Sequence, residues 1–400
     1  MQIVIVGNGI AGTLAAKTIR EADSEVGIEI FAEEPYLYYP RPNLIEFIAG
    51  GLPFERLFAF PEKWYGQHRL KIHTGTPVEK LVPDEHYVFT AGGRRVPYDV
   101  LLLANGAAAA RPMLKGLEKR GVFTLRTLGD ALALLDYFKD HSRVAVIGGG
   151  LLGLEIARAL RSRGAEVEVV EFFDYLLPRQ LDPAGGALLR GEIEKAGIRV
   201  RLGTTTDEIL GGSEVRGLRF KNGLTAEADM VVLATGVRPN LGLAREAGLQ
   251  TDRGVMVDEF LQTSRPGIFA AGDGIQRGDA VYGIIPASFD QARVVAANIL
   301  GRKKVYEGTV PSNTLKVAGV YLTSVGTFNP QGPGFEEIRL EKPEEGIYKK
   351  IVLRNDALVG AIWMGTKTGV SAITRGVSQK IRVDKWKRDL LEETFDFALL

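Results

Sequence analysis

The sequence contains no cysteine. A disulfide, a thiolate-ligated zinc site, an ordinary iron–sulfur cluster and a Cys-x-x-Cys redox pair are therefore excluded. Histidine is scarce as well: the four histidines, at positions 68, 73, 86 and 141, lack the spacing of metal ligands, so we expect no metal site. A redox centre in this chain would have to be an organic cofactor.

An excess of charge of one sign and long apolar runs are also lacking. The formal net charge is +1 and no block of Lys and Arg occurs, which gives no reason to expect nucleic acid as a partner. No apolar run approaches the roughly 18 residues of a membrane span, and a strand predicted from residue 2 leaves no room for a signal peptide. We therefore expect a cytoplasmic protein of two or three domains without a membrane partner.

Glycine is abundant, and its placement is informative. With 48 glycines, a single Gly-x-Gly-x-x-Gly is weak evidence, but the motif occurs twice, at residues 7–12 and 148–153. We call these motifs the first and second cradles. Each follows a β-branched apolar run and opens a helical pattern, which is the context of the dinucleotide-binding fingerprint. The predicted elements are a strand at Gln2–Val6, a helix at Ile10–Glu21, a strand at Gly27–Phe31, and then a strand at Arg143–Ile147, a helix at Leu151–Arg163 and a strand at Glu166–Val170.

The first cradle has a glycine at each position that the fingerprint requires. Gly7 permits the tight turn, Gly9 lets a pyrophosphate approach the backbone, and Gly12 lets the helix pack on the strand. Glu33 follows the second strand and would accept hydrogen bonds from an adenosine ribose. The alternative is a tight βα turn with a surface glutamate.

The second cradle repeats the pattern with a carboxylate, Glu171, directly after its second strand. A carboxylate there suits an unphosphorylated ribose and repels a 2′-phosphate, so NAD is favoured over NADP. Glu155, one helical turn inside, either faces the same crevice or is a solvated helix carboxylate. Two cradles predict two dinucleotides, and the economical reason for holding two is to move electrons between them.

Three further segments stand in a fixed order with the cradles. Residues 101–107 (Leu-Leu-Leu-Ala-Asn-Gly-Ala) follow the first cradle, and residues 231–240 (Val-Val-Leu-Ala-Thr-Gly-Val-Arg-Pro-Asn) and 267–273 (Gly-Ile-Phe-Ala-Ala-Gly-Asp) follow the second. The series resembles the two-dinucleotide-binding-domain flavoproteins of the pyridine nucleotide–disulfide oxidoreductase superfamily, without their redox cysteines. Residues 33–42 and 125–131 are similar to segments of the NADH:rubredoxin oxidoreductases and of the flavin part of nitrite reductase large subunits.

The resemblance implies an α/β fold with two Rossmann-like dinucleotide-binding domains and a small α/β C-terminal domain. The NAD-binding domain, residues 109–234, would be inserted in an FAD-binding domain made of residues 1–108 and 235–302. Residues 303–400 would form the C-terminal interface domain. Within that last part we predict strands at Thr314–Val320, Leu322–Thr327, Gly346–Arg354 and Ala357–Gly365, a loop at residues 330–334, and a packed amphipathic helix at Trp386–Leu400 rather than a partner-binding peptide.

The resemblance also implies which residues hold the cofactors FAD and NADH. Those for FAD are Gly7, Gly9, Ala11, Gly12, Glu33, Glu34, Arg41, Pro42, Val78, Ala104, Asn105, Gly106, Arg126, Gly272, Asp273 and Pro286. Those for NAD are Gly148, Gly150, Leu151, Leu152, Gly153, Glu155, Glu171 and Gly236. Asp273 would accept a hydrogen bond from the ribitol, and a helix beginning at Pro286 would direct its N-terminus at the flavin. No side chain is assigned to catalysis, because the flavin carries the chemistry.

This sequence departs from the family pattern at a few positions. Asn105 stands where many relatives carry Thr, Ile45 and Glu46 stand where some reductases carry Ser-Lys, and Ile285 replaces a common aromatic residue. These departures concern the electron acceptor rather than FAD binding.

The function implied by the resemblance is electron transfer from NADH through FAD to a separate protein, namely a rubredoxin, a ferredoxin or an iron–sulfur subunit. One alternative is an NADH-handling FAD subunit of a larger multi-subunit oxidoreductase. A second alternative is an NADH oxidase, and a third is a non-catalytic NADH-sensing scaffold flavoprotein. The chain would act as a homodimer or as a subunit of a hetero-oligomeric complex.

Overall fold

The computed structural model describes residues 1–317 and 319–400, which form two compact units. The first unit comprises residues 1–47, 52–109 and 237–309, and the second comprises residues 48–51, 110–236 and 310–400. The helices are α1 (Ile10–Ala22), α2 (Asn43–Ala49), α3 (Glu62–Gln67), α4 (Leu128–Phe138), α5 (Leu151–Ser162), α6 (Pro183–Lys195), α7 (Gly242–Glu246), α8 (Ile285–Ile299) and α9 (Val370–Gln379).

The strands are numbered in chain order. They are β1 (Gln2–Val6), β2 (Gly27–Phe31), β3 (Lys71–His73), β4 (Val78–Val82), β5 (Tyr87–Thr90), β6 (Arg95–Pro97), β7 (Val100–Leu103), β8 (Ala107–Ala109), β9 (Val122–Thr124), β10 (Arg143–Ile147), β11 (Glu166–Val170), β12 (Arg199–Arg201), β13 (Thr206–Leu210), β14 (Gly217–Phe220), β15 (Thr225–Glu227), β16 (Met230–Leu233), β17 (Val237–Pro239), β18 (Val255–Met256), β19 (Ile268–Ala270), β20 (Ile275–Gln276), β21 (Ser312–Val317), β22 (Val320–Gly326), β23 (Glu336–Lys342), β24 (Ile347–Arg354) and β25 (Ala357–Met364).

A five-stranded parallel sheet in the order β19-β7-β1-β2-β3 forms the centre of the first unit. Strands β1 and β7 are buried along almost their whole length, in agreement with their apolar sequences, which only Gln2 at the start of β1 interrupts. Helix α1 packs against α8, and the buried faces of both helices are rich in alanine, such as Ala15, Ala16 and Ala292, so the two backbones approach closely. A small antiparallel sheet, β4-β5-β6, and the antiparallel pair β8–β17 complete the main pairings.

The second unit contains a parallel sheet with the same local topology, in the order β12-β11-β10-β16-β9. A three-stranded antiparallel sheet, β13-β14-β15, adds to it. The C-terminal part forms an antiparallel sheet in the order β21-β22-β25-β24-β23, on which α9 packs. Its core includes Trp363, Ile373 and Leu390.

The elements around the two glycine motifs lie where the sequence predicts them. All four strands have the predicted bounds, and each helix differs at its C-terminal end by one residue. The mixed α/β fold is thus the one expected. None of the helices formed by the described residues combines the length and the apolar character that a membrane crossing requires.

Several C-terminal predictions need correction. The predicted strand Thr314–Val320 is wrong, because β21 ends at Val317 and β22 begins at Val320; residue 318, within this prediction, lies outside the described residues. Strand β23 and helix α9 were not predicted. The loop at residues 330–334 is confirmed as a segment without helix or strand.

The predicted terminal helix at Trp386–Leu400 is also wrong. This segment contains only two short 3₁₀ turns, at Asp389–Leu391 and Phe397–Leu399. The backbone carbonyl of Leu391 accepts a hydrogen bond from the Lys349 ammonium (2.8 Å), and Glu392 is extended, so an α-helical ladder does not continue. Most of the large apolar side chains of the tail nevertheless pack in or against the C-terminal core, namely Trp386, Leu390, Leu391, Phe395, Phe397 and Leu400.

Candidate dinucleotide-binding sites

The backbone makes the same tight turn at both cradles. Gly7 and Gly148 have φ angles of +111° and +114°, which favour glycine. The amide of each donates to the last residue of the second strand, Gly7 to the carbonyl of Phe31 and Gly148 to that of Val170, both at 2.8 Å. The chain therefore turns at the end of the central strand in one geometry, used twice.

The third glycine of each motif is required by packing within the protein. A Cβ atom on Gly12 would collide with the carbonyl oxygen of Gly7, and a Cβ atom on Gly153 would collide with that of Gly148. Each helix therefore begins in direct contact with the preceding turn. This is the close approach that the sequence motif predicts.

The middle glycine of each motif has no such reason to be glycine. Gly9 and Gly150 are the N-cap residues of α1 and α5, both with φ of −79°, which any residue can adopt. No heavy atom lies within 4 Å of a Cβ atom built on either. Each glycine stands directly before the first turn of a helix, whose N–H groups and dipole attract an anion. Both positions therefore fit a pyrophosphate.

The likeness of the two cradles continues past the second strand. Ala32 and Glu171 each donate a backbone amide to the third strand, at 2.9 and 2.8 Å, and each accepts one from a threonine, Thr76 and Thr204. Ala32 is therefore the structural counterpart of Glu171. Glu33, the predicted ribose acceptor of the first cradle, stands one residue further along the chain. The two carboxylates differ in register.

Their surroundings differ too. Glu171 is buried, with only 6% of its surface exposed. Its Oε2 accepts the amide of Gly149 (2.6 Å) and its Oε1 accepts the amide of Phe173 (2.9 Å), so this carboxylate also braces the glycine turn. Glu33 is exposed. The neighbouring Glu34 accepts hydrogen bonds from the Tyr39 hydroxyl (2.5 Å) and from Arg41 (3.3 Å).

The structure brings most of the predicted FAD residues of the first unit to one edge of its parallel sheet. Gly7 follows β1, residues 104–106 follow β7, and Gly272 and Asp273 follow β19, and these strands are neighbours. The carboxyl edge of a parallel sheet is where such folds bind ligands. A Cβ atom on Gly272 would lie 3.1 Å from that of Ala11, which ties this loop to helix α1.

The remaining FAD residues occupy separate elements. Val78 begins β4, Pro42 precedes α2, and Pro286 stands in the first turn of α8. Asn105 is joined to a residue on the returning chain, Asn240, by side-chain hydrogen bonds of 3.1 and 2.8 Å. The FAD roles assigned to these residues stay predictions.

Arg126 belongs to the second unit. The motif around it, residues 125–131, forms the start of α4: the Thr127 hydroxyl accepts the amide of Asp130 (3.1 Å), and the Asp130 carboxylate accepts the amides of Thr127 (3.0 Å) and Arg126 (2.8 Å). This is a capping box. The motif is therefore accounted for by helix capping, and a contact of the Arg126 side chain with FAD stays a prediction.

The predicted NAD residues gather at the corresponding edge of the second sheet. Leu151, Leu152 and Glu155 lie on the first turns of α5, behind Gly150. Gly236 follows β16, the neighbour of β10, with φ of +103° and no heavy atom within 4 Å of a Cβ position. Gly236 is exposed, so no side chain occupies this position at the edge of the second sheet.

Two residues that support the first cradle were not predicted from the sequence. The Asn8 side chain accepts from the Thr13 hydroxyl (3.0 Å) and donates to the carbonyl of Tyr36 (3.4 Å), so it links the turn to the segment after β2. Gln291, almost fully buried, accepts the amide of Gly272 (2.7 Å). The available sequence signal for Gln291 was a glutamine in the predicted helix that follows the Gly-Asp motif.

Comparisons with known proteins agree with this geometry. Residues 1–315 match the family described as pyridine nucleotide-disulphide oxidoreductase, and residues 311–381 match the rubredoxin NAD+ reductase C-terminal domain. The chain is 39% identical over 366 residues to the nitrite reductase [NAD(P)H] of Bacillus subtilis, which covers 91% of this chain and 45% of that protein. The chain spans about half the length of this and two further curated relatives, at 45%, 51% and 44%.

Other relatives match over most of both chains. The ferredoxin–NAD(+) reductase subunit of the benzene 1,2-dioxygenase system of Pseudomonas putida is 34% identical, with 83% of this chain and 82% of that protein covered. A crystal structure of the covalent putidaredoxin reductase–putidaredoxin complex aligns with a TM-score of 0.90 at 25% identity, covering 99% and 97% of the chains. The predicted family and fold class are confirmed. The chain belongs to the pyridine nucleotide-disulphide oxidoreductase family.

Proposed function

We propose that the chain binds FAD at the first cradle and NADH at the second, and passes electrons from NADH to a separate protein. Residues 1–108 and 235–302 would form the FAD-binding domain, residues 109–234 the NAD-binding domain, and residues 303–400 the C-terminal interface domain. The first compact unit, which joins residues 1–47, 52–109 and 237–309, supports a split FAD domain. A cytoplasmic location stays a prediction.

The observation that carries the proposal is the glycine at positions 9 and 150. Neither the backbone conformation nor any protein atom within 4 Å requires glycine there. A ligand that must approach the helix N-terminus closely does require it. Gly12 and Gly153 differ in this respect, because packing within the protein alone accounts for glycine at these positions.

The chemistry of electron transfer belongs to the cofactors. When bound, FAD would supply the redox chemistry, namely acceptance of a hydride from the nicotinamide and release of single electrons. The chain's own residues would bind and orient: the glycine turns would hold the pyrophosphates, and the Asp273 carboxylate would accept a hydrogen bond from a ribitol hydroxyl. Orientation alone contributes much of the rate when no proton transfer is needed.

NADH is preferred over NADPH in this proposal because of Glu171. Its carboxylate is buried at the end of β11 and braced by two backbone amides, so it has a fixed position. It would accept the ribose hydroxyls and repel a 2′-phosphate. The following residues, Phe172, Phe173 and Asp174, bring no cation to neutralise that phosphate.

The proposed acceptor is a small iron–sulfur or rubredoxin-type protein. Support comes from the match of residues 311–381 to the C-terminal domain of rubredoxin NAD+ reductases. The ferredoxin reductase subunit and the putidaredoxin complex described above support it as well. No position in the chain supplies a thiol relay, because the sequence has no cysteine.

The test is an anaerobic titration of the purified holoprotein. We expect one FAD per chain, bleaching of its visible absorbance by stoichiometric NADH, and rapid recovery on adding oxidised rubredoxin or ferredoxin. Recovery in air should be slow. A colourless protein that takes up no FAD would refute the proposal, and reoxidation by oxygen as fast as by any protein acceptor would favour the oxidase.

A second candidate is an NADH-handling FAD component of a larger reductase. The identity of 39% with a nitrite reductase over 91% of this chain favours it. Anaerobic purification of the protein from its source distinguishes the two. A stable, stoichiometric complex with an iron–sulfur or haem protein supports the second candidate, and a transient acceptor with a free reductase supports the first.

A further inference from the structure

A loop in the second unit connects the ribose-site carboxylate to the C-terminal sheet. We call residues 172–182 the bracing loop; it begins after Glu171 and ends at Asp182, the N-cap of α6. Leu177, in the middle of the loop, is fully buried, has a φ of +53°, and donates its amide to the carbonyl of Gly149 (3.2 Å). The loop therefore supports the glycine turn of the second cradle from behind.

The far end of the bracing loop is held by the C-terminal sheet. Asp182 Oδ2 accepts hydrogen bonds from the Tyr348 hydroxyl (2.6 Å) and the Lys350 ammonium (3.1 Å), both on β24. Asn329 donates to the carbonyl of Leu181 (2.9 Å). Every element of the attachment lies in the second unit.

These charges are buried. The side chain of Lys350 is 1% exposed and that of Asp182 is 5% exposed. Burial would raise the pKa of Asp182, but hydrogen bonds from Tyr348, Gly185 and Lys350 outweigh it and keep the pKa below its ordinary value. Asp182 Oδ2 also lies 3.9 Å from the Arg339 guanidinium, and the Lys350 ammonium also pairs with Glu337 at 3.1 Å. Loss of the Lys350 ammonium would leave the buried Asp182 with only the longer contact to a cation, so the attachment resists rearrangement.

We propose that Lys350 and Tyr348 are positioning residues for nucleotide binding: the C-terminal sheet fixes Asp182, Asp182 fixes the bracing loop, and the loop fixes the glycine turn at Gly149. This inference rests on the proposed NADH site. It gives the C-terminal domain a part in nucleotide affinity, in addition to its predicted interface role. The bracing loop also carries Phe172 and Phe173, which are exposed and directly follow Glu171 in the sequence.

The chain contains a matched control one residue away. Lys349 is 0% exposed and lies on the same strand, but its ammonium donates to the carbonyl of Leu391 (2.8 Å) in the tail and lies 4.8 Å from the Trp363 ring centre. Lys349 thus has the burial and the charge of Lys350 without its connection to the bracing loop. Loss of either ammonium should lower stability, whereas only loss of Lys350 should affect the second cradle.

The experiment compares Lys350→Met, Tyr348→Phe, Lys350→Arg and Lys349→Met in the full-length holoprotein. NAD+ binding is measured by calorimetry, and KM for NADH and kcat are measured with ferricyanide. We expect Lys350→Met to weaken NAD+ binding and raise KM about ten-fold, with FAD content and kcat little changed. Lys350→Arg should restore much of the affinity, and Lys349→Met should lower the melting temperature while NAD+ affinity stays at the wild-type value.

Hydrogen exchange gives a readout that needs no nucleotide. Amides of Leu177 and Phe173 should exchange faster in Lys350→Met and Tyr348→Phe than in Lys349→Met. Equal exchange and equal NAD+ affinity in all variants would overturn the inference. Tyr348→Phe, which removes a single hydroxyl, decides the matter if Lys350→Met does not fold. A wild-type protein that binds neither NAD+ nor NADH refutes the proposed function instead, whatever the exchange rates.

Discussion

Asn105 and Asn240 each donate a side-chain hydrogen bond to the backbone carbonyl of the other, at 3.1 and 2.8 Å. They stand beside β8 and β17, where the chain leaves the first unit and returns to it. In the second unit the hydroxyl of Thr235 donates to the carbonyl of Ala110 (3.1 Å). Asn105 and Asn240 thus make two such hydrogen bonds, one in each direction, whereas Thr235 makes one.

This pair predicts the effect of an isosteric change at position 240. Asn240→Asp keeps the shape but replaces the donor with an acceptor that faces a carbonyl oxygen. We expect it to destabilise the protein more than Asn240→Ala, which should cost about 1 kcal/mol. Urea unfolding of the three holoproteins measures the difference. An Asp variant as stable as wild type would show that the 2.8 Å hydrogen bond contributes nothing.

Substitutions at the glycines should separate ligand binding from folding. Gly9→Val has an allowed backbone and open space, so the apoprotein should keep its melting temperature but fail to retain FAD. Gly12→Ala places a Cβ atom against the carbonyl of Gly7 and should destabilise the apoprotein itself. The ratio of flavin to protein absorbance and the apoprotein melting curve test both. A fully flavinated Gly9→Val protein would contradict the assignment of the first cradle.

Glu171→Gln tests the preference for NADH. Glu171→Arg is less suitable, because it would remove the acceptor of the backbone amides of Gly149 and Phe173. Its effect on nucleotide binding would then combine a disturbed loop with the change of charge. Glutamine keeps the shape and one amide acceptor while removing the negative charge. We expect kcat/KM for NADH to fall about ten-fold relative to that for NADPH, because a hydrogen bond to a charged group is weakened. An unchanged ratio would remove Glu171 from the ribose site.

The ion pair of Asp229 and Arg143 predicts a pH dependence of stability. Arg143 binds Asp229 through two hydrogen bonds, of 3.0 and 2.7 Å, and these bonds hold the pKa of Asp229 below its ordinary value. A lowered pKa in the folded state adds stability above the ordinary pKa of about 3.9, and that stability is lost as the pH falls through the folded value.

Asp229→Asn should therefore be less stable than wild type by about 1–2 kcal/mol at pH 7, with the gap closing on acidification below the ordinary pKa. Urea unfolding across this range measures it. Asp136→Asn, at an exposed pair with Lys139, is the control and should change little at any pH. A gap between Asp229→Asn and wild type that stays constant with pH would show that ionisation of Asp229 is not its source.

Much of both cradles could be predicted because their signals are local. An apolar run, a glycine turn and an amphipathic helix are each encoded by neighbouring residues, and β1, β2, β10 and β11 have their predicted bounds. The one-residue difference between Glu33 and Glu171 could not be read in this way. This difference in register depends on which residue after the second strand bonds to the third strand. In the two cradles these residues are Ala32 and Glu171, and the bonds join segments that are distant in the sequence.

The C-terminal part shows the same limit. Strand β23 has the sequence Glu-Glu-Ile-Arg-Leu-Glu-Lys, whose polar residues hide its alternation at the edge of the sheet. The tail after Trp386 is amphipathic, but its conformation is determined by contacts with the C-terminal sheet. One of them is the hydrogen bond from the Lys349 ammonium to the carbonyl of Leu391. Lys349 and Lys350 are themselves buried lysines, which composition would place on the surface.

The near-identity of the two glycine turns has a consequence for selectivity between the two cofactors. FAD and NADH share an ADP moiety, and turns that agree in dihedral angles and hydrogen bonds offer that moiety equivalent docking points. The turns themselves would therefore not separate FAD from NADH, and the two cradles differ beyond the second strand, where one turn is followed by Ala32, Glu33 and Glu34 and the other by Glu171, Phe172 and Phe173.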